Sequence, residues 1–424
     1  MPAPEKSRPE RPRSRRAAVW IALAAAVLLL LLALRWVSQP SQVAGLILRQ
    51  VGHALGLEIT ASGASEYRLR GTPMLAIRDV VARQPGAATP LLRAERIRLE
   101  LPWSTVRARG ADLTVTRIEL DAPQVDVAAL QRWLATRPPS ETRIPTLTDG
   151  LRVVRGRVTG DGWSVEAIDL DLPDLHPQQP AKAQLRGRLI SGEVRVPFDV
   201  DAAMTRPAAG AGIGLSGDIS IQSRPWTLAT DTTLSGRLHA GDDGVGLDRL
   251  RVAADARYRN GDAAQPFVLG LAGRLRLHDG ELGIAPLGLA VRGSGLIPTL
   301  DARGGFELGD ALAMQLEGDI AQWPGSWPAL PAPIGRSSSP LPFQLLYRGQ
   351  ADLSAVTSLQ LRRDGTAFDG RFRLPRMLDW IDAGAQSAPL PPLDGRLASP
   401  RIEIAGAVLE GVEIQFSDDA PTSP

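Results

Sequence analysis

The 424-residue sequence contains no cysteine, which excludes disulfide bonds, thiolate zinc sites and cysteine nucleophiles. Histidine is also scarce. The four copies, His53, His176, His239 and His278, each stand alone, without the spacing of a metal-binding motif. We therefore expect no metal site and no cofactor.

Catalytic motifs are missing as well. The sequence has no G-x-S-x-G elbow and no phosphate-binding glycine loop, and Gly293-Ser294-Gly295 is typical of a turn. Asp169, Asp171 and Asp174 are the nearest approach to a carboxylate cluster. Asp169 and Asp171 alternate with apolar residues, so the pattern predicts the solvated face of a strand. We expect the protein not to be an enzyme. An enzyme that uses these aspartates remains a third alternative, beside the two functions described at the end of this section.

A basic surplus is absent from most of the chain. Residues 1–35 hold seven basic and two acidic residues, which leaves 41 basic and 44 acidic residues in the remainder. A nucleic-acid-binding body would be basic, so we expect no nucleic-acid partner.

The basic N-terminus precedes a long apolar run. Ala17 to Leu34 is 18 residues without charge, which as a helix spans roughly 27 Å, close to a hydrocarbon core of about 30 Å. We predict a transmembrane helix over 17–37, and the positive-inside rule places residues 1–16 in the cytoplasm and the body across the membrane. A cleaved signal peptide is the alternative, but no A-x-A-like site closes the run. The predicted membrane-anchor residues are Trp20, Leu28, Leu31, Leu34 and Trp36.

After a helical pattern over 41–57, the apolar period changes to two. In residues 93–101, for example, Ile97, Leu99 and Leu101 alternate with charged side chains. Such runs recur between Gly and Asp-Gly turn signals, among them Asp364-Gly365 and Asp394-Gly395, and predict an antiparallel meander. Short helices are expected at 127–134 and 377–381. Because aromatic residues make up only 4%, the pattern favours a curled sheet with an aliphatic interior over a packed sandwich.

The amino-acid composition also indicates a boundary within the β-rich body. Residues 323–342 are rich in Pro, Gly and Ser, which indicates a break between two β-rich regions. The predicted organisation is a tail (1–16), the transmembrane helix (17–37), a membrane-proximal helix (41–57), a β-rich region (58–322), the break (323–342), a second β-rich region (343–418) and a disordered tail (419–424).

Several segments resemble the AsmA family of Gram-negative envelope proteins. Behind the apolar run come Ala61-Ser62-Gly63 and then residues 73–80 (PMLAIRDV), 90–97 (PLLRAERI) and 118–125 (IELDAPQV), in an order similar to the family's N-terminal region. Residues 345–349 (LLYRG), 393–397 (LDGRL) and 412–414 (VEI) are similar to its C-terminal strands. The matching segments cover about a third of the chain.

The resemblance implies a long, taco-like β-groove on the periplasmic side of the inner membrane. It also implies a role in outer-membrane biogenesis, with phospholipid transport through an apolar interior. About 25 strands at ~4.8 Å would make a groove of roughly 120 Å, which is short for the family. The candidate groove-lining residues are Ile97, Leu99, Leu113, Val115, Ile118, Leu120, Leu275, Leu277, Leu287 and Leu289.

The resemblance leaves a second function open. An anchored β-scaffold that helps outer-membrane proteins or a secretion machine assemble would have the same sequence features, with an envelope protein as its partner and its sheet edge as the binding surface.

Overall fold

The computed structural model describes residues 55–417 together with Leu48 and Gly52, apart from gaps at 64, 69, 109–112, 137–143, 242–243, 262, 279, 328–329, 331–334, 336, 338, 384–390 and 405–406. The predicted transmembrane helix and both predicted tails lie outside the described residues. Within the described part, no helix is long and apolar enough to cross a membrane. Of the residues predicted as a helix over 41–57, the described Leu48, Gly52 and Leu55 are helical, whereas Gly56 lies in a turn and Leu57 is not helical.

The described chain is mainly β, as predicted, and forms one large curled sheet. Its strands are β1 (Glu58–Ala61), β2 (Glu66–Arg68), β3 (Met74–Arg83), β4 (Leu92–Glu100), β5 (Thr114–Val115), β6 (Arg117–Asp121), β7 (Gln124–Asp126), β8 (Thr146–Leu147), β9 (Leu151–Thr159), β10 (Trp163–Leu172), β11 (Ala181–Ser191), β12 (Val194–Met204), β13 (Gly212–Ser223), β14 (Trp226–Gly241), β15 (Gly244–Asn260), β16 (Ala263–His278), β17 (Glu281–Gly293), β18 (Thr299–Leu308), β19 (Leu312–Gln322), β20 (Leu341–Gly349), β21 (Val356–Arg363), β22 (Thr366–Arg373), β23 (Leu393–Ile404) and β24 (Ala407–Phe416).

Three helices are described: α1 (Trp103–Ala108), α2 (Val127–Ala135) and α3 (Leu374–Ala383). The helix predicted at 127–134 is therefore confirmed, and the turn predicted at 377–381 is part of α3. The Asp126 carboxylate caps α2 by accepting a hydrogen bond from the Ala129 N–H at 2.7 Å, which satisfies one of the free donors in its first turn.

Strand order follows chain order almost throughout. β1 and β2 share one edge of β3, β4 lies on its other edge, and β6 and β7 together fill the position between β4 and β9. From β9 to β24 each strand pairs antiparallel with the next. These twenty positions at ~4.8 Å extend the sheet over about 90 Å. This is shorter than the predicted 120 Å because two pairs of strands share a position and because β5 and β8 lie in a separate sheet.

The sheet is mixed, which corrects the prediction of an antiparallel meander. β6 and β7 run parallel to β9, and β5 runs parallel to β8 in a separate two-stranded sheet. The cause lies in the connection: a parallel neighbour needs a long crossover, and the segment from 127 to 150, which contains α2, supplies it.

Mid-strand bulges curl the sheet. The register of β10 slips beside Ala167, which has a φ of +51°. That of β15 slips at Arg249, with a φ of +52°, and that of β17 slips between Ile284 and Leu287. An extra residue on one strand bends that strand and increases its twist, so bulges in the middle of long strands give the sheet its curvature.

One predicted turn is wrong. Asp394-Gly395 lies inside β23, not between strands. A Cβ on Gly395 would come within 2.6 Å of the Asp369 carbonyl oxygen on β22, so glycine here allows two strands to approach closely. By contrast, Asp364 and Gly365 form the two-residue turn between β21 and β22, with φ angles of +53° and +77°.

The main core lies on one side of β15–β23, and we call it the packed cluster. Its buried members are Leu250, Ile284, Leu287, Leu316, Ile320, Leu341, Phe343, Leu361, Leu397 and Ile402. A smaller buried group at β3, β4 and α2 includes Ile77, Val80 and Ala129.

Ile402 and Leu409 provide a test of the packed cluster. They are cross-strand neighbours, but Ile402 is 1% exposed and Leu409 is 45% exposed. We expect Ile402→Ala to lower the free energy of unfolding by about 3 kcal/mol, because it leaves a cavity. Leu409→Ala, the matched control, should cost less than ~1 kcal/mol. Urea denaturation of both variants measures the difference; equal losses would mean that the cluster is not packed as described.

Candidate functional site

The strand register places apolar side chains in rows on one face of the sheet. Each of the following residues lies directly opposite the next on an adjacent strand, from β3 to β12: Ile77, Ile97, Leu120, Val153, Leu170, Leu185 and Val200. A second row runs from β13 to β17 through Leu215, Leu234, Val252, Leu271 and Leu289. We call the side of the sheet that carries these rows the apolar face, and the opposite side the charged face.

The predicted groove residues fall into three places. Ile97, Leu99, Ile118 and Leu120 form two cross-strand pairs between β4 and β6 on the apolar face. Leu275, Leu277, Leu287 and Leu289 lie on the same face in β16 and β17. Leu113 and Val115 are not part of the main sheet, since Val115 belongs to β5 and Leu113 precedes it and is 39% exposed.

Burial differs along the apolar face. Leu170, Leu185 and Leu215 in β10, β11 and β13 are half-buried. Leu287 is buried in the packed cluster, and Leu275 and Leu289 pack against it. Over β9–β14 the face is therefore mostly half-buried, although Val200 in β12 is buried and Leu234 in β14 packs against the packed cluster; over β15–β23 it is packed.

Sequence reasoning missed the lining of this open stretch. The signal was present in β11 and β12, where apolar and polar residues alternate, but alternation alone does not tell a packed side chain from a half-exposed one. Between β10 and β14 the described residues in register with the apolar face carry no charge. Its polar groups there include the Thr230 and Thr232 hydroxyls, which lie 2.8 Å apart; Thr230 also donates to the Ile219 carbonyl at 2.9 Å.

Ion pairs cross between strands on the charged face. Arg186 contacts Asp199 at 2.6 Å, and Arg303 contacts Glu317 at 2.8 Å. Both pairs are solvent-exposed, so each contributes about 0–1 kcal/mol. Together with the apolar rows on the other side, they favour a single register, because a slip of one residue would exchange the faces.

The predicted carboxylate cluster does not form a metal site. Asp169 and Asp171 are exposed on the charged face of β10, and Asp169 accepts a hydrogen bond from the Arg155 N–H at 3.0 Å. In the described part of the chain, no three His, Asp or Glu side chains are arranged to hold a metal ion.

Four aspartates form a row on the charged face. Asp199, Asp218, Asp231 and Asp255 lie directly opposite one another on β12 to β15. Arg186 neutralises the first. Like charges at directly opposed positions destabilise a sheet, so this row costs stability.

Asp248 is the centre of a second charged group, at the bulge in β15. Its carboxylate lies 2.6 Å from Arg276, 3.6 Å from Arg274 and 3.6 Å from the Nδ1 atom of His239. The hydrogen bond from the Arg276 side chain, aided by the charges of Arg276, His239 and Arg274, lowers the pKa of Asp248 from its ordinary value of 3.8.

This shift makes stability depend on pH. A carboxyl whose pKa is lowered on folding stabilises the protein above its ordinary pKa, and loses that contribution as the pH falls through the lowered value. We expect Asp248→Asn to melt below wild type at pH 7, and the gap to close as the pH falls below 3.8. Thermal melts of both proteins over this range measure the gap; one that persists in acid would show that the loss is not electrostatic.

The aspartate row predicts a substitution that stabilises the protein, whereas Asp248→Asn destabilises it. Asp231→Asn should raise the free energy of unfolding by about 0.5 kcal/mol at low salt, because it relieves repulsion on both sides. The gain should shrink as salt rises. Asp301→Asn is the control, since Asp301 pairs with Arg292 at 2.7 Å and its loss should not stabilise. Melting curves at low and high salt decide; a destabilised Asp231→Asn protein would contradict the argument.

Scans of this chain against family models, curated proteins and solved structures find no match.

Proposed function

We propose that this chain is an AsmA-like envelope protein that shields phospholipid acyl chains along the apolar face of its sheet. The observation that carries the proposal is the mostly half-buried, uncharged stretch of that face over β9–β14, continuous with further apolar rows on either side. In the same proposal, the apolar run at 17–37 anchors the protein in the inner membrane, and the body works in the periplasm in outer-membrane biogenesis.

The energetics of an acyl chain support this function. Each methylene exposed to water costs about 0.8 kcal/mol, so an extended aliphatic surface lowers the barrier for a lipid that crosses an aqueous space. A fully packed face would leave no surface for the lipid. A charged face would lose hydration when a hydrocarbon covered it, so binding would not be favourable. Half-buried leucines and valines satisfy both requirements, because they keep free apolar area that a ligand can cover.

Geometry also supports a path rather than a single pocket. The rows of the apolar face run across strands, parallel to the long dimension of the sheet, so neighbouring side chains succeed one another every ~4.8 Å. An acyl chain lying along such a row would find the same environment at each strand. Gradual movement along the row needs no cofactor and no covalent step.

Site-specific photo-crosslinking in cells tests the proposal. We expect probes at Leu99, Leu185 and Leu215 on the apolar face to form phospholipid adducts that mass spectrometry identifies. Probes at Arg98 and Gln184 are matched controls, because each is adjacent to a test residue in sequence but lies on the charged face. They should form none.

Two other crosslinking results would count against the proposal. Equal lipid labelling on both faces would indicate non-specific contact with the membrane. No lipid at any apolar position would overturn the acyl-chain proposal.

A second candidate function rests on the last strand. In the described part of the chain, β24 pairs only with β23, and Val408 and Leu409 are 47% and 45% exposed. An unpaired strand edge can bind a strand of another protein by extending the sheet. Protein adducts at a Leu409 probe, without lipid adducts at Leu185, would favour an assembly factor.

A further inference from the structure

The connections between β10 and β16 lie alternately on two sides of the sheet, because each strand runs antiparallel to the one before it. One side, which we call the basic rim, holds the turns at 192–193, 224–225 and 261–262. The other side, the opposite rim, holds the connections at 173–180, 205–211 and 242–243.

The two rims differ in charge. On the basic rim, the ten-residue segments around the turns contain five arginines and two acidic residues, in 188–197, 220–229 and 257–266. On the opposite rim, the matching segments contain one arginine, two histidines and three aspartates, in 172–181, 203–212 and 238–247. The basic rim therefore attracts anions, and the opposite rim does not.

Each turn of the basic rim offers one arginine to a ligand. Arg224 lies in its turn, and Arg195 and Arg259 lie two residues from theirs. All three are exposed, and among the residues that the structure describes none of them has an ion pair or a side-chain hydrogen bond. The aspartate row is four residues farther along β12 and β15, about 13 Å away, which exceeds a Debye length of about 8 Å. The three guanidinium groups thus keep their donors for another acceptor.

The apolar face extends to the same rim. Ile221 lies opposite Leu228, and Leu228 lies opposite Tyr258. The ring of Tyr258 is 6.1 Å from the ring of Trp226, which directly follows the turn at 224–225. Tryptophan and tyrosine have apolar rings with a polar tip, so they suit the boundary between hydrocarbon and water. The three segments of the opposite rim contain neither residue type.

We propose that the basic rim binds the phosphate group of a phospholipid whose acyl chains lie on the adjacent apolar face. This inference rests on the proposed function, because it assigns a site to the part of the lipid that the apolar face does not hold. An arginine side chain binds phosphate oxygens through two parallel N–H donors. A row of arginines beside an apolar surface therefore fits a molecule with an anionic head and a hydrocarbon tail.

The spacing of the arginines suits a lipid that moves. Arg195, Arg224 and Arg259 follow one another at every second strand, about 10 Å apart. Because all three are exposed, each contact with a phosphate is weak and readily released. A headgroup can pass from one arginine to the next while its acyl chains follow the rows of the apolar face.

Two triple variants test the basic rim. Arg195→Gln, Arg224→Gln and Arg259→Gln together remove its three available charges and keep polar side chains of similar length. The matched control removes three charges from exposed arginines that lie toward the opposite rim, with Arg206→Gln, Arg237→Gln and Arg251→Gln. A melting curve for each full-length protein confirms folding.

The experiment compares two lipids that differ only in the phosphate. Each protein, in mild detergent, receives equal amounts of phosphatidic acid and diacylglycerol with the same acyl chains, and native mass spectrometry measures the ratio retained. We expect wild type to retain about tenfold more phosphatidic acid than diacylglycerol. In the basic-rim variant the ratio should fall to about one with diacylglycerol retention unchanged, whereas the control variant should match wild type. The wild-type ratio should also fall as salt rises.

Two results would overturn the basic rim and leave the proposed function standing. The first is equal retention of both lipids by wild type; the second is a basic-rim variant that keeps the wild-type ratio. An excess of inorganic phosphate provides a further arm. If it abolishes the ratio and chloride of the same ionic strength does not, the rim binds free phosphate and the lipid assignment is wrong.

The failure of the proposed function has a different signature. If no protein retains either lipid, the acyl-chain proposal and the basic rim are both overturned. If the triple variant does not fold, the three single variants decide, since each should lower the ratio about twofold.

Discussion

Register between neighbouring strands is the constraint on which this structure depends. Side chains alternate between the two faces of every strand, so a single offset keeps Val153, Leu170 and Leu185 in one row and their charged neighbours on the other side. Burial of apolar side chains stabilises this register on the apolar face. Ion pairs such as Arg186–Asp199 add a smaller stabilisation on the charged face. The bulges shift the offset at Ala167 and Arg249, and so curve the sheet without mixing its faces.

The same face is used in two ways. Over β15–β23 it is buried by its own side chains, so it supplies stability. Over β9–β14 most of its side chains are only half-buried, so they keep apolar area that a ligand can cover.

The β class and the alternation in individual strands could be predicted from the sequence, because period-two patterns are local. The face of Leu99 and Leu120 could be predicted for the same reason. The parallel placement of β9 could not, because it depends on a crossover through α2 that no strand pattern encodes. The assignment of Leu287 to a core and Leu185 to an open stretch could not be predicted either, since burial depends on what lies across the curled sheet and not on the strand itself.

The nearly unbroken succession of strands also bears on how the chain acquires its shape. Each strand from β10 onward pairs with the one just before it, so each pairing joins strands that are consecutive in the chain. The sheet can grow by one hairpin at a time from its N-terminal end while the remainder of the chain is still being synthesised. Throughout that growth the newest strand has an unpaired edge, which invites association with other extended chains. Protection from aggregation is therefore needed while the sheet grows, and the edge of β24, which in the described part of the chain pairs only with β23, keeps the same need afterwards.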